Sequence, residues 1–332
     1  MKVGIIGSGI IGLSTALAIQ ENYPNLELII QADKKDVMVT SYGAAGIFRP
    51  DPKLLPRSND DDSFIHWCHL GHEQYWKLAC SWDSSEAGVY FHPTYQLSEY
   101  YEFDIPFITY YYTTCIIEPR YYMNYLLKKL TKLIPNDHSI YSERMTRFTS
   151  SNELYNWAKE QKINVIVNCT GLGSGYLFND PELRPVKGQL VRVQAPWMKF
   201  GFYFGVSKCN YIYILCSMFV VGGLCSSTRS DRHDDTIVSS ESTKNILQRI
   251  DNTWYGGLGQ SSIVEEWTGL RPFRPSIRLE IDWYQPEITC QPLPIIHNYG
   301  HGSMGVALSW GTAIDAVKLF ENVLKSSGTI HS

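Results

Sequence analysis

Residues 7–12 read GSGIIG, a G-x-G-x-x-G spacing that follows the apolar run KVGIIG and opens the stretch GLSTALAIQ. A short apolar run bounded by glycine predicts a buried strand. Gly7 permits a tight turn, Gly9 lets backbone approach a pyrophosphate, and Gly12 lets the following helix pack closely on the strand. With Ser8 and Ile10 in the same turn, the helix N-terminus offers free N–H groups and partial positive charge to a phosphate. The helix is predicted to end near Pro24, and LELII at 26–30 to form a second strand. Such a β-α-β unit demands a parallel sheet, so a chain that starts this way is constrained to the α/β class. Asp33 closes IIQAD about 20 residues after the glycines, the place for an acid that accepts from the ribose of an adenosine. A plain loop acid is the alternative.

The rest of the composition narrows the class of function. The chain has 332 residues, enough for one large or two ordinary domains. With 44% apolar and 19% charged residues it is globular. A formal net charge of −4 provides no basic surplus, so no nucleic-acid partner is expected. No apolar run reaches the length of a bilayer span, so no membrane partner is expected either. The eight cysteines form no C-x-x-C pair and read as buried, reduced thiols of an intracellular protein. His66, His69 and His72 share a face of a predicted helix at 64–80. Without carboxylates in register, a solvated face outweighs a metal site, and no metal is expected.

Farther along, RPDPKLLPRSNDDDSF at 49–64 is predicted as a surface excursion, a flap near a site. Aromatic, strand-like runs fill 89–118, and helices are predicted at 121–133, 151–161 and 242–252. INVIVNCTG at 163–171 reads as a buried strand. The runs KGQLVRVQ, YIYILC and FVVGG, within 186–224, predict a second, mainly antiparallel sheet. The chain then returns through PIIHNYGHGSMG to a long last helix. Residues 1–50, 140–185 and 290–328 are therefore expected to form one domain, and 51–139 with 186–289 a second.

EEWTGLRPFRPSIRLE at 265–280 sets Arg271, Arg274 and Arg278 among Pro272 and Pro275. Two prolines exclude a regular helix. A rigid guanidinium suits a carboxylate or phosphate through two parallel hydrogen bonds, the alternative being a network paired to nearby acids. NCTG at 168–171 and GHGSMG at 300–305 are glycine turns, and the second precedes a helix whose N-terminus would face a bound cofactor. The glycine motif alone leaves NAD and FAD both open.

GSGIIGLSTA (7–16), AAGIFRP (44–50), VIVNCTG (165–171), KGQLVRV (187–193), TGLRPFRPSIRLE (268–280) and HNYGHGSMG (297–305) resemble, in order and along nearly the whole chain, the motifs of the D-amino-acid oxidase family, which includes D-aspartate oxidase. The resemblance implies an α/β fold: a Rossmann-like FAD-binding domain with a second, mainly antiparallel β-sheet substrate domain. It implies oxidative deamination of D-amino acids, with FAD and oxygen, to 2-oxo acids, ammonia and hydrogen peroxide. The partners are then a small-molecule substrate and oxygen, with a homodimer as one state of assembly. Positioning carries such chemistry, so no side-chain acid or base is expected.

By the same resemblance Arg271 pairs with the substrate α-carboxylate, Tyr211 donates to it, and the Ser303 carbonyl accepts from the amine. Arg274 and Arg278 hold the scaffold. FAD contacts carried over by motif are Gly7, Ser8, Gly9, Ile10, Gly12, Asp33, Lys34, Thr40, Ser41, Ala45, Gly46 and Ile47. Phe148 is a backbone contact, and Gly171, Gly302, Ser303, Gly305, Val306 and Ala307 lie at the flavin end. The family's second active-site tyrosine falls near Ser207. Phe204 and Leu224-Cys225 stand where D-aspartate oxidases have arginines. An unpaired second carboxylate would be costly, so neutral D-amino acids are expected, with acidic ones the alternative through Lys208 or Arg229. The family habit implies a peroxisome; the C-terminal Thr-Ile-His-Ser, unlike a Ser-Lys-Leu address, leaves the cytoplasm as the alternative.

Overall fold

A computed structural model describes residues 1–33, 39–50, 61–100, 105–134, 140, 147–204, 210–215, 218–229, 236–253 and 257–326, with the backbone course alone for 61, 97–100, 105–109, 250, 252–253 and those in 203–229. The strands are β1 (Lys2–Ile6), β2 (Glu27–Gln31), β3 (Val89–Tyr100), β4 (Ile105–Ile117), β5 (Val165–Asn168), β6 (Arg184–Gln194), β7 (Gly201–Phe204), β8 (Asn210–Leu215), β9 (Met218–Arg229), β10 (Ile263–Tyr284) and β11 (Leu293–His301). The helices are α1 (Ile10–Asn22), α2 (Asp61–Ala79), α3 (Ser84–Ala87), α4 (Pro119–Leu133), α5 (Ser151–Glu160), α6 (Gly173–Leu177), α7 (Ser240–Thr253) and α8 (Gly305–Ser326).

The predicted β-α-β start is present. Strands β2, β1, β5 and β11 lie side by side and parallel. Val3, Ile5, Val165, Val167 and Ile296 are solvent-free, as strands covered on both faces require. Helix α1 is apolar nearly all round and is buried from Gly12 through Gln20. It packs between α4 and α8 over the parallel strands. Helix α5 starts where Ser150 accepts from the Glu153 N–H at 3.2 Å and Glu153 accepts from the Thr149 N–H at 2.7 Å, a reciprocal cap.

The expected antiparallel sheet follows in the order β10-β6-β9-β8-β7-β3-β4, with β3 and β7 its one parallel pair. It is not detached from the first sheet. The 22-residue β10 pairs with β6 through Phe273 and with β11 at Phe273 and again from Arg278, joining both halves into one 11-stranded sheet. Pro275 sits in the register shift between Phe273 and Arg278, where no ladder partner needs its missing N–H.

Two helices from the segment 51–139 pack on the parallel half. Helix α4 lies against α1 and shares its core. Helix α2 crosses α8 at Gly71 and Gly311, where either side chain would overlap the opposing backbone. Trp67 Nε1 donates to Asp315 at 2.7 Å across the same contact. His66, His69 and His72 lie on the exposed side of α2. His66 is 3.3 Å from Asp315, and His72 packs on Trp76 with ring centroids 5.2 Å apart. No helix among the described residues is long and apolar enough to cross a membrane. The described cysteines, Cys68, Cys80, Cys115, Cys169 and Cys290, are free thiols.

Candidate active site

The parallel strands β1, β2, β5 and β11 all end at one crevice of about 440 Å³, the place where an open α/β sheet binds its ligand. Gly7 leaves β1 with a φ of +110°, and a side chain there would strike the Cys169 carbonyl oxygen. Gly7, Ser8, Gly9 and Ile10 line the crevice, and the Ser41 hydroxyl accepts from the Ile10 N–H at 3.2 Å. Gly12, grouped with the cofactor residues from the sequence, does not line the crevice. It backs the turn, with its Cα against the Gly7 carbonyl oxygen, because α1 must press onto β1 at that point.

Asp33 lines the crevice at the end of β2; the Tyr176 hydrogen bond first, and the Asp33 charge last, favour the protonated Arg147 guanidinium. Arg147 also lines it, donating from Nε to the Tyr176 hydroxyl at 3.2 Å and lying 5.2 Å over that ring. Phe148 is buried in the same wall, against Trp157. Lys34 lies outside the described residues, as do the flap at 51–60, Ser207 and Lys208. Arg147 and Tyr176 carry no local motif, and the sequence did not single them out. Arg147→Ala is expected to weaken FAD binding about tenfold, the loss of one charge-assisted contact. Fluorescence titration of apoprotein with FAD checks this.

The turn Thr40–Gly43 closes one side. Thr40 Oγ1 donates to the Leu270 carbonyl at 3.3 Å. Glu265 takes two hydrogen bonds from Arg120, at 2.6 and 2.8 Å, and one from Arg192 at 3.0 Å. Both arginines reach on to this turn, Arg120 to the Tyr42 carbonyl at 3.3 Å and Arg192 to the Gly43 carbonyl at 3.2 Å. Ala45, Gly46 and Ile47 continue along the crevice, fixed to the end of β4 by the Ile117 N–H donating to Gly46 at 2.7 Å.

Across from them β11 ends at Gly300-His301, Gly302 opens the turn that follows, and α8 begins at Gly305. Gly171, Gly302, Ser303, Gly305, Val306 and Ala307 line the crevice here. Burial pushes the His301 imidazole down to about 3, so it is neutral, and it bonds the Thr312 hydroxyl at 3.0 Å. It adds no charge beside the α8 N-terminus.

The three arginines of β10 separate by partner. Arg274 binds Asp180 at 2.9 Å and Glu182 at 2.7 Å. Arg278 binds Glu280 at 2.6 Å and donates to the Tyr299 hydroxyl at 3.0 Å. Burial opposes ionisation of Asp180, but hydrogen bonds from Tyr299 and Arg274 outweigh it and hold that carboxyl below its usual range. Arg271 lines the crevice, and its Nη1 is buried with no hydrogen-bond partner among the described residues. A buried N–H left without an acceptor is costly, and an anion in the crevice would supply one. Gly188 makes room for it, since a side chain there would overlap Nη1. Gly188→Ala is therefore expected to displace the flexible end of Arg271, leaving a folded, yellow protein whose KM rises roughly ten- to a hundredfold. Steady-state kinetics beside the visible spectrum checks this.

The register runs Tyr203↔Tyr211, Tyr211↔Gly222, Gly222↔Leu190 and Leu190↔Trp267, so Tyr211 stands in the backbone row that ends on Trp267, four residues before Arg271. Its side chain and that of Arg229 lie outside the described set.

Together the glycine cradle, the two helix N-termini, Asp33 and the unmatched Arg271 fit FAD with an anionic ligand at the far end. The chain is also similar to known proteins. Residues 93–319 match the family model DAO, described as FAD dependent oxidoreductase. D-aspartate oxidase of Homo sapiens is 28% identical, over 96% of this chain and 94% of that protein. D-aspartate oxidase 2 of Caenorhabditis briggsae is 30% identical, over 97% and 98%. D-amino acid oxidase of Dugesia ryukyuensis is 28% identical, over 98% of each. The fold matches that of glycine oxidase from Bacillus cereus ATCC 14579, with a TM-score of 0.70 at 16% identity over 97% of this chain and 95% of that one. A family match across most of the chain and near end-to-end likeness to these relatives give the glycine cradle its owner: the chain belongs to the DAO family of FAD dependent oxidoreductases.

Proposed function

We propose that this enzyme oxidatively deaminates D-amino acids, gripping the substrate α-carboxylate with Arg271. The observation that carries the reading is the division of labour on β10. Arg274 and Arg278 are satisfied by acids of the scaffold, whereas Arg271 presents a buried, unpartnered nitrogen at the crevice. The names of the full-length relatives support the D-amino acid as substrate.

In this reading the crevice residues of the sequence motifs, from Asp33 to the α8 N-terminus, would hold FAD. FAD held there would supply the two-electron acceptor for the Cα hydrogen, with oxygen as the final oxidant and hydrogen peroxide as the product. The chain's own task is to hold the substrate. Arg271 and, by motif position, Tyr211 bind the carboxylate, and the Ser303 carbonyl accepts a hydrogen bond from the amine N–H. Two fixed ends leave the Cα–H of one enantiomer only pointing at the cofactor, so placement supplies the rate. Water then hydrolyses the imino acid to 2-oxo acid and ammonia. The FAD-binding unit comprises 1–50, 140–185 and 290–328, to which α2 and α4 add their packing. A compartment that disposes of peroxide, such as the peroxisome, fits this product.

Anaerobic addition of amino acids to FAD-loaded protein tests the proposal. D-enantiomers are expected to abolish the visible absorbance of the oxidised flavin while L-enantiomers leave it. A protein that stays yellow with every D-amino acid would reject the activity, and one that binds no FAD would point instead to a nicotinamide dehydrogenase.

A further inference from the structure

His297 opens the motif HNYGHGSMG, yet it drew no role from the sequence. It is solvent-free on β11 and in register with Asn168, the equally buried last residue of β5. The Asn168 amide is engaged at both ends. Its oxygen accepts from the Thr170 N–H at 3.2 Å and from the Thr170 hydroxyl at 2.8 Å. Its nitrogen donates to the Ser174 hydroxyl at 3.1 Å and to His297 Nδ1 at 3.0 Å. The Ser174 and Thr170 hydroxyls close the circuit at 2.8 Å.

One group in this circuit has no choice of role. The Thr170 backbone N–H can only donate, so the amide oxygen must face it and the amide nitrogen must face His297. His297 Nδ1 is then a bare acceptor, and the ring carries its proton on Nε2, 3.6 Å from the Asp282 carboxylate. Burial first, and the Arg278 charge next, push the imidazole down to about 4, so the ring is neutral at neutral pH. Phe178 stands edge-on to the ring, with centroids 4.7 Å apart, and fixes its plane.

The circuit ends on the crevice. Thr170, Gly171, Leu172 and Gly173 line it, whereas Asn168 and His297 stand behind them. Gly171 turns there with φ +56°, and a side chain on it would come within 3.9 Å of Pro272, the neighbour of Arg271. Asn168 backs the turn, and His297 keeps its amide from flipping. A flipped amide would set N–H against N–H at Thr170 and leave both unmatched.

We propose that His297 is a positioning residue: its bare Nδ1 locks the Asn168 amide, and the amide holds the Thr170–Gly171 turn in the shape that meets FAD. The inference rests on the reading of Gly171 as a cofactor contact and deepens it.

The test titrates apoprotein of wild type, His297→Leu, His297→Asn and His297→Gln with FAD, following fluorescence and the visible spectrum, with thermal melts alongside. Leucine nearly fills the space of the ring but accepts nothing. Asparagine is smaller, yet its Oδ1 can stand where Nδ1 stood. Glutamine has the size and polarity of the ring but carries its amide too far out, toward Asp282. A packing role therefore ranks asparagine worst, and an acceptor role ranks it best. The leucine and glutamine variants are expected to bind FAD about tenfold more weakly with shifted flavin bands, and the asparagine variant to stay within about threefold of wild type. If the leucine variant does not fold, glutamine against asparagine decides the same ranking. Asparagine binding FAD more weakly than leucine or glutamine would overturn the inference, and so would equal affinity in all four proteins. Wild-type protein that takes up no FAD would instead sink the reading on which the inference rests.

Discussion

Replacing Arg271 with alanine is expected to lower kcat/KM for D-amino acids by about 10²–10³-fold while the protein stays folded and yellow. The figure follows from leaving a buried carboxylate without its charged partner, which costs about 3–4 kcal/mol, at ~1.4 kcal/mol per decade of rate. Most of the loss should fall on KM, because the carboxylate is held in ground and transition states alike, and a smaller part on kcat through lost aim. The fold is spared because Arg271 has no acid partner among the described residues, unlike Arg274, which holds Asp180 and Glu182. Arg274→Ala should show the opposite pattern: reduced stability from a stranded Asp180, with KM little changed. Steady-state kinetics and thermal melts on the two variants separate the roles. Equal KM values for wild type and Arg271→Ala would contradict the assignment.

The second large effect is expected from Gly12→Val. Its side chain would meet the Gly7 carbonyl oxygen, backbone against helix, where no rotamer change relieves the overlap. Overpacking at such a point costs about 3 kcal/mol, a large share of the ~5–15 kcal/mol that holds a domain folded. Relief would come by pushing α1 off β1, which removes the phosphate-facing N-terminus from the crevice. The variant is expected to purify colourless, to take up no FAD on titration, and to melt at lower temperature. A yellow Gly12→Val protein of unchanged stability would mean that the α1–β1 contact does not shape the cofactor site. Arg271→Ala and Gly12→Val thus fail differently, one losing substrate and keeping flavin, the other losing flavin itself.

Features fixed by backbone geometry were readable from the sequence. Gly7 and Gly12 act through their missing side chains, so their spacing alone marks the turn. The two glycine turns after β5 and β11 were readable for the same reason. Motif position set Arg271 apart from Arg274 and Arg278, and the fold pairs the latter two with acids. The union of the two sheets was not readable. Pro272 and Pro275 look like a break, yet β10 runs through them because Pro275 falls in the register shift. Helical periodicity predicted α2 and α4 but not the surfaces they cover, which depend on Gly71, Gly311 and the shared core with α1. Arg49 and Arg147 reach the crevice only through tertiary folding, and no local pattern distinguishes them from surface arginines.

The central claim is that Arg271 holds the substrate's carboxylate at the flavin. A crystal structure of the FAD-loaded, anaerobically reduced enzyme with a D-amino acid tests it most directly. The account predicts both carboxylate oxygens within ~3 Å of the Arg271 guanidinium, the length of a charge-assisted hydrogen bond, with Cα facing the flavin. A carboxylate bound elsewhere, with Arg271 paired to an acid of the protein, would contradict it.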